Sequence, residues 1–187
     1  MIIEARETAG GEYTSARIVT VDKKEFLFGR IDIRAKLPYG QGVWPALWML
    51  GANFPEEGWP NCGEIDIMEL VGHEAEKIHG TAHWGPAGQT YSNNHGDSIE
   101  LDGEIYADKF HVFSIVWDFN TIKWYMDDTL YFSINQNTVG NQAYPFNQEF
   151  FFIFNIAVGG QWPGNPDFTT TFPQRMVVDY IRVFQKE

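Results

Sequence analysis

The sequence predicts an all-β fold, a sandwich of two antiparallel sheets, and three observations carry that prediction. About ten short stretches alternate apolar and polar side chains with the period of two that a half-buried strand requires. Turn-forming residues punctuate them. Nowhere does a 3.6-residue apolar period persist for three helical turns. At 187 residues, the chain suits one domain, 1–187, large enough to bury a core.

The strands can be justified in order. Glu12 to Thr20 alternates, with Tyr13, Ser15, Arg17 and Val19 on one face and Thr14, Ala16, Ile18 and Thr20 on the other. Arg17 there suits either a ligand or a neighbouring carboxylate. From Phe26 to Leu37, Ile31, Ile33 and Ala35 share one face while Arg30, Asp32, Arg34 and Lys36 share the other, a solvated stripe or the lining of a polar groove. After the turn at Pro38 to Gly42, Val43 to Leu50 places Trp44 and Trp48 on one face, as a platform or as core anchors. A Gly- and Pro-containing loop, Gly51 to Asn61, follows.

Lys77 to Trp84 sets His79, Thr81 and His83 along one face, a polar stripe suited to a cleft wall. Two histidines four apart also invite a zinc reading with Glu64 or Asp66, but no HExxH-type motif accompanies them. Gly85 to Asp108 reads as a long polar loop with one short strand near Ile99 to Leu101. Phe110 to Asp118, Thr121 to Met126 and Thr129 to Ile134 form a meander turned by Asp118-Phe119-Asn120 and Asp127-Asp128. Phe151 to Gly160 is the most apolar strand; its Asn155 is either a satisfied buried amide or a sugar contact. Arg175 to Lys186 closes the chain, with Asp179 on the face of Val177, Ile181 and Val183, where burial would demand hydrogen bonds or a cation.

Composition narrows the partners. The net charge of −12 argues against nucleic acid and against an anionic membrane, both of which call for a basic patch, and leaves a neutral polymer open. An aromatic fraction of 16% supplies surfaces suited to cores and to stacking on sugar rings. The single cysteine, Cys62, excludes an intrachain disulfide framework and reads as a packing residue. No apolar run approaches a membrane span, and Met1 to Arg6 lacks a signal-peptide pattern.

Folding alone does not explain Gly63-Glu64-Ile65-Asp66-Ile67-Met68-Glu69-Leu70. In a regular strand Glu64 and Asp66 share a face, Met68 joins them and Glu69 enters the core, which is costly for a lone carboxylate. One extra residue, a β-bulge, returns Glu69 to the side of Glu64 and Asp66. Three acids on one face repel one another. Glycoside hydrolysis uses such a cluster, one carboxylate attacking while a second, kept protonated, donates to the leaving oxygen. The bland alternative is a solvated acidic face on an acidic protein.

These stretches together resemble glycoside hydrolase family 16, and within it the laminarinase-like endo-β-1,3-glucanases. The resemblance is carried by Tyr13 to Ile18, Phe28-Gly29-Arg30, Arg34 to Pro38, Gly42 to Gly51, Gly63 to Glu69, Ala157 to Gly160 and Val178 to Val183. The bulged Glu-Ile-Asp-Ile-Met-Glu form looks like that of laminarinases and agarases, whereas lichenases lack the extra residue. The resemblance implies a jelly-roll sandwich with a concave cleft and a retaining double displacement, Glu64 being nucleophile, Glu69 acid and then base, and Asp66 their tuning neighbour. It further implies sugar contacts from Arg34, Trp44, Trp48, His83, Asn155 and Trp162, and a protein secreted or extracellular.

The alternatives are another family specificity, mixed-linkage glucan or agar, or a truncated, non-catalytic glucan-binding domain. No cofactor is required on this reading. Family members usually carry further strands and calcium ligands before the segment matching Tyr13 to Thr20. With these absent, Asp179 matches a calcium-site aspartate whose partners are not found, and exposed sheet edges would favour self-association.

Overall fold

The computed structural model describes residues 1–86, 88, 89, 91–140 and 142–187. Its chain order is β1 (Ile2–Glu7), β2 (Tyr13–Thr14), β3 (Arg17–Val19), β4 (Gly29–Lys36), β5 (Val43–Gly51), α1 (Phe54–Glu57), β6 (Glu64–Glu69), β7 (Lys77–Trp84), β8 (Asn93–Glu100), β9 (His111–Asp118), β10 (Thr121–Met126), β11 (Thr129–Asn135), α2 (Gln136–Val139), β12 (Phe150–Val158) and β13 (Gln174–Phe184). Two antiparallel sheets form the sandwich. One runs β3-β12-β5-β6-β7-β8 and the other β11-β10-β9-β4-β13-β1-β2. Both helices are single turns.

The alternation in sequence becomes the division between core and surface. Ile31, Ile33 and Ala35 of β4, Ile78 and Ala82 of β7, and Phe152, Phe154 and Ile156 of β12 meet in one continuous core. The opposite face of β12 is covered too: Phe151 and Ile153 pack with Leu50 and Cys62 against Val19, Val21, Trp48 and Trp59. Burial on both faces accounts for the unbroken apolar run of this strand. The buried Cys62 thiol is pushed up to about 11, mainly by desolvation, so it packs rather than reacts.

Four expectations change. Glu12 to Thr20 is not one strand: it breaks after Thr14, where β2 ends on the seven-stranded sheet beside β1, and β3 crosses to pair with β12. That crossing places Arg17 opposite Asn155. Met1 to Arg6 carried no strand prediction, yet β1 pairs Ile2–Ala5 with Val177–Gln174 and buries Ile3 and Ala5. The expected loop before Ile99 holds β8, registered with β7 from Asn93↔Trp84 to Glu100↔Lys77. Its Asn, His, Gly and Asp residues have poor strand propensity, but as an edge it buries little and its polarity guards against further pairing. Last, Asp179 parts from Ile181 and Val183, which face the inward Ile33 and Ile31, and stays with Val177 on the outer side, where it pairs with Arg34. β13 shifts register between Val178 and Tyr180 against β4, and Asp179 is the extra residue.

Candidate active site

The predicted bulge is present, and the pairings of β6 with both neighbours locate it. Toward β7, Glu64 faces His83, Ile65 faces Ala82 and Asp66 faces Thr81, after which Glu69 faces His79. Ile67 and Met68 together therefore oppose the single residue Gly80. Toward β5, Asp66 faces Trp48 and Met68 faces Leu47, with Ile67 passed over. Ile65, Ile67 and Met68 are all buried in the core, which leaves Glu64, Asp66 and Glu69 together on the outer face of the six-stranded sheet.

They line a cleft of about 200 Å³ with Arg17, Trp44, Ala46, Trp48, Asn155 and Ala157. Ala46 and Ala157 keep part of the floor low, and the taller side chains form a donor network. Trp44 Nε1 donates to Glu69 Oε1 at 3.1 Å, and Trp59 Nε1 to Glu64 Oε2 at 3.1 Å. Trp48 Nε1 donates to Asn155 Oδ1 at 2.9 Å, while the Arg17 guanidinium lies 5.3 Å over the Trp48 ring. Both tryptophans of β5 thus reach the cleft, Trp48 while also packing against the small cluster of Leu50, Cys62, Phe151 and Ile153. His83 Nε2 sits 3.1 Å from Asp66 Oδ2 and 3.8 Å from Glu64 Oε1, and its Nδ1 is 2.8 Å from Ser92 Oγ.

The electrostatics separate the three acids. Burial first, and the charge of Asp66 second, push Glu64 up to about 8, while His83, the Trp59 N–H and Arg17 draw it back. Burial pushes Asp66 up to about 8. Glu69 is driven well above the usual carboxylate range by burial and then by the charges of Asp66 and Glu64. Three such neighbours share protons as one titrating unit. Of the two glutamates, Glu64 is the one drawn back by His83, Arg17 and an indole N–H and gives up its proton first, whereas Glu69, raised further by the charges of both Asp66 and Glu64 against only His83 and the Trp44 N–H, keeps its proton longest.

Of the predicted site residues, Glu64, Asp66, Glu69, Trp44, Trp48, His83 and Asn155 come together. Trp162 joins them at the rim, its ring edge-on to Trp44 at 5.3 Å and to His79 at 5.1 Å. Arg34 does not. It projects from the outer face of the other sheet, where it pairs with Asp179 at 2.7 Å and covers the Phe110 ring at 4.5 Å. Its alternation with the inward Ile33 and Ala35 turns it outward from the seven-stranded sheet, and the cleft lies on the six-stranded one. Asp179, half exposed on that ion pair, is equally remote.

Trp59 was missed, because its loop has no periodicity to expose a facing direction. Arg17 was legible only as an ambiguous charge. For a metal, the described residues offer Glu64, Asp66 and His83, whose ligand atoms lie within 4.8 Å of one another; His79, at the opposite end of the bulge, is outside that group.

The description "Glycosyl hydrolases family 16" belongs to the family model that matches residues 2–182. A β-glucanase of Rhodothermus marinus is 42% identical over 99% of the chain, which spans 68% of that protein. A glucan endo-1,3-β-glucosidase A1 of Niallia circulans is 39% identical over 94% of the chain, here matching only 27% of the relative's length. The laminarinase catalytic domain of Thermotoga maritima superposes with a TM-score of 0.92 at 46% identity, covering the whole chain and 77% of that domain.

Proposed function

Since the chain belongs to glycosyl hydrolase family 16, we propose that it is a retaining endo-β-1,3-glucanase of the laminarinase type. The observation that carries this reading is the bulge at Ile67–Met68, which sets Glu64, Asp66 and Glu69 on one face of a cleft walled by tryptophans. In the first step the ionised Glu64 attacks the anomeric carbon as protonated Glu69 gives its proton to the departing glycosidic oxygen. Esterification removes the charge of Glu64, one of the influences raising Glu69. Glu69, having given its proton to the leaving group, then stays ionised and as a carboxylate takes a proton from the water that cleaves the intermediate.

Asp66 tunes both glutamates through its charge, and the chemistry needs no metal. The names of the relatives support β-1,3-glucan as the substrate. A polymeric substrate places the enzyme's work outside the cell; laminarin-cleaving activity confined to cell lysate would contradict that.

Reducing-sugar release from laminarin, lichenan and agarose tests the assignment, with Glu64→Ser as the control. Release from laminarin by the wild type alone is expected. Equal background release from both proteins would remove the enzyme reading and favour a glucan-binding domain; a preference for agarose would replace the specificity. Retention is checked separately, since the first product formed should be the β-anomer.

A further inference from the structure

We propose that Trp124, a core residue of the opposite sheet, is a positioning residue for the catalytic acids, holding the β6 bulge through its indole N–H. This inference rests on the activity proposed above and adds a residue that touches neither substrate nor the reacting atoms. Trp124 lies in β10 of the seven-stranded sheet and is fully buried. Its Nε1 donates across the sandwich to the backbone oxygen of Asp66 at 2.8 Å.

That acceptor is unusual in kind. Strand carbonyls ordinarily lie in the plane of their sheet and serve a neighbouring strand. One that accepts from a side chain beneath the sheet has been turned toward the core. Asp66 is also the last residue in step with β7 before Ile67 and Met68 oppose one position. The indole therefore bonds the peptide oxygen at the point where the ladder is interrupted, tying the start of the bulge to the opposite sheet.

Gly80 provides the space. It is the residue facing the bulge, and a Cβ there would sit 2.6 Å from Trp124 Cδ1 and 2.5 Å from Tyr131 Oη. Its neighbours on the same inner face, Ile78, Ala82 and Trp84, all carry side chains. Glycine at this position admits the indole beneath β7. The Phe132 ring, tilted at 39° with its centroid 4.7 Å from that of the indole, packs against Trp124 as well.

The link to chemistry is register. Losing the bulge would move Met68 to the cleft and Glu69 to the core, and even partial relaxation would displace Glu69 relative to Glu64. Displacements near 1 Å cost on the order of 10²-fold in rate.

The test replaces Trp124 with β-(3-benzothienyl)alanine, which keeps the bicyclic ring and substitutes sulfur for the N–H, alongside Gly80→Ala, which keeps the N–H and pushes on the ring. In both proteins kcat on laminarin should fall by about ten- to hundredfold with KM within about twofold, because binding aromatics are untouched while the acids shift. The ¹³C-carboxyl titrations of Glu64 and Glu69 should move in the same proteins. Unchanged kcat, pH profile and carboxyl titrations, with only a lowered Tm, would reduce Trp124 to packing and overturn the proposal. If the wild type cleaves no glucan, the activity reading fails, and the titrations still decide the positioning role. If neither variant folds, the wild type decides: fast exchange of the Trp124 indole proton would refute the hydrogen bond, and exchange as slow as global unfolding would uphold it.

Discussion

The outer faces of the two sheets are both rich in charge, and they treat it in opposite ways. On the seven-stranded sheet, Arg30 bonds Asp32 and Asp128 and Arg34 bonds Asp179, each at 2.7 Å and most of these side chains more than a third exposed. Opposite charges alternate there and water screens them. On the six-stranded sheet, three like charges stand within six residues, Asp66 being 3% and Glu69 9% exposed. No folding requirement produces that crowding. The contrast shows how a charged strand face is to be judged: the stripe Arg30 to Lys36 and the stripe Glu64 to Glu69 look equally polar in sequence, but only the second concentrates one sign out of water.

The sharpest way to break this contrast is to remove the proton that the crowding holds on Glu69. Glu69→Gln should lower kcat on laminarin by about 10³-fold or more, within the range for loss of general acid catalysis. On an aryl β-laminaribioside with a good leaving group, kcat/KM should fall far less, because that departure needs little protonation and kcat/KM does not include the later step in which Glu69 serves as base. Equal losses on both substrates would mean that Glu69 is not the acid.

Next in size is the charge of Asp66. Since that charge raises both Glu64 and Glu69, Asp66→Asn should shift both limbs of the kcat/KM profile to lower pH, alongside a loss of about 10-fold to 10²-fold in kcat. An upward shift of either limb would contradict the arrangement of charges described here. Stability should respond as well. Folded Glu69 holds its proton well above 4.5, the ordinary value near which the unfolded chain releases it. Above that value the folded state binds more protons, so its stability is highest below it and declines as pH rises toward the folded value. Glu69→Gln should flatten that decline and raise Tm at pH 8, by about 2–4 °C for each kcal/mol regained in a chain of this size. A wild-type Tm rising across this window would reverse the sign of the whole account.

Much of this was legible in the sequence because side-chain period and burial cost are local quantities. Met68 was readable as the sign of a bulge, since alternation without it buries Glu69. β7 matches its predicted bounds, Lys77 to Trp84, because its two faces differ so clearly. What was not legible depends on neighbours distant in the chain. β8 exists because β7 needs an edge partner, despite a composition that reads as loop. The break between β2 and β3 depends on which sheet each half pairs with. Arg34 was assigned to the cleft by resemblance, although its alternation with Ile33 and Ala35 left open which sheet would carry it. Trp59, Trp124 and Gly80 act through contacts 5, 58 and 44 positions away, the last between Gly80 and Trp124, and only the first is near enough for a sequence pattern to suggest.

The smallest expected effect tests the quieter face. Arg34→Ala removes an ion pair with the half-exposed Asp179 and a contact with the Phe110 ring. Exposed pairs contribute about 0–1 kcal/mol, so Tm should fall by at most about 2–4 °C, and KM and kcat on laminarin should stay within about twofold of wild type. Added salt should shrink the Tm difference, because the pair is open to screening. A severalfold rise in KM would restore Arg34 to the substrate site and would mean that the glucan chain extends around the sandwich onto the second sheet. The same substitution would then separate a charge kept for solubility from one kept for binding.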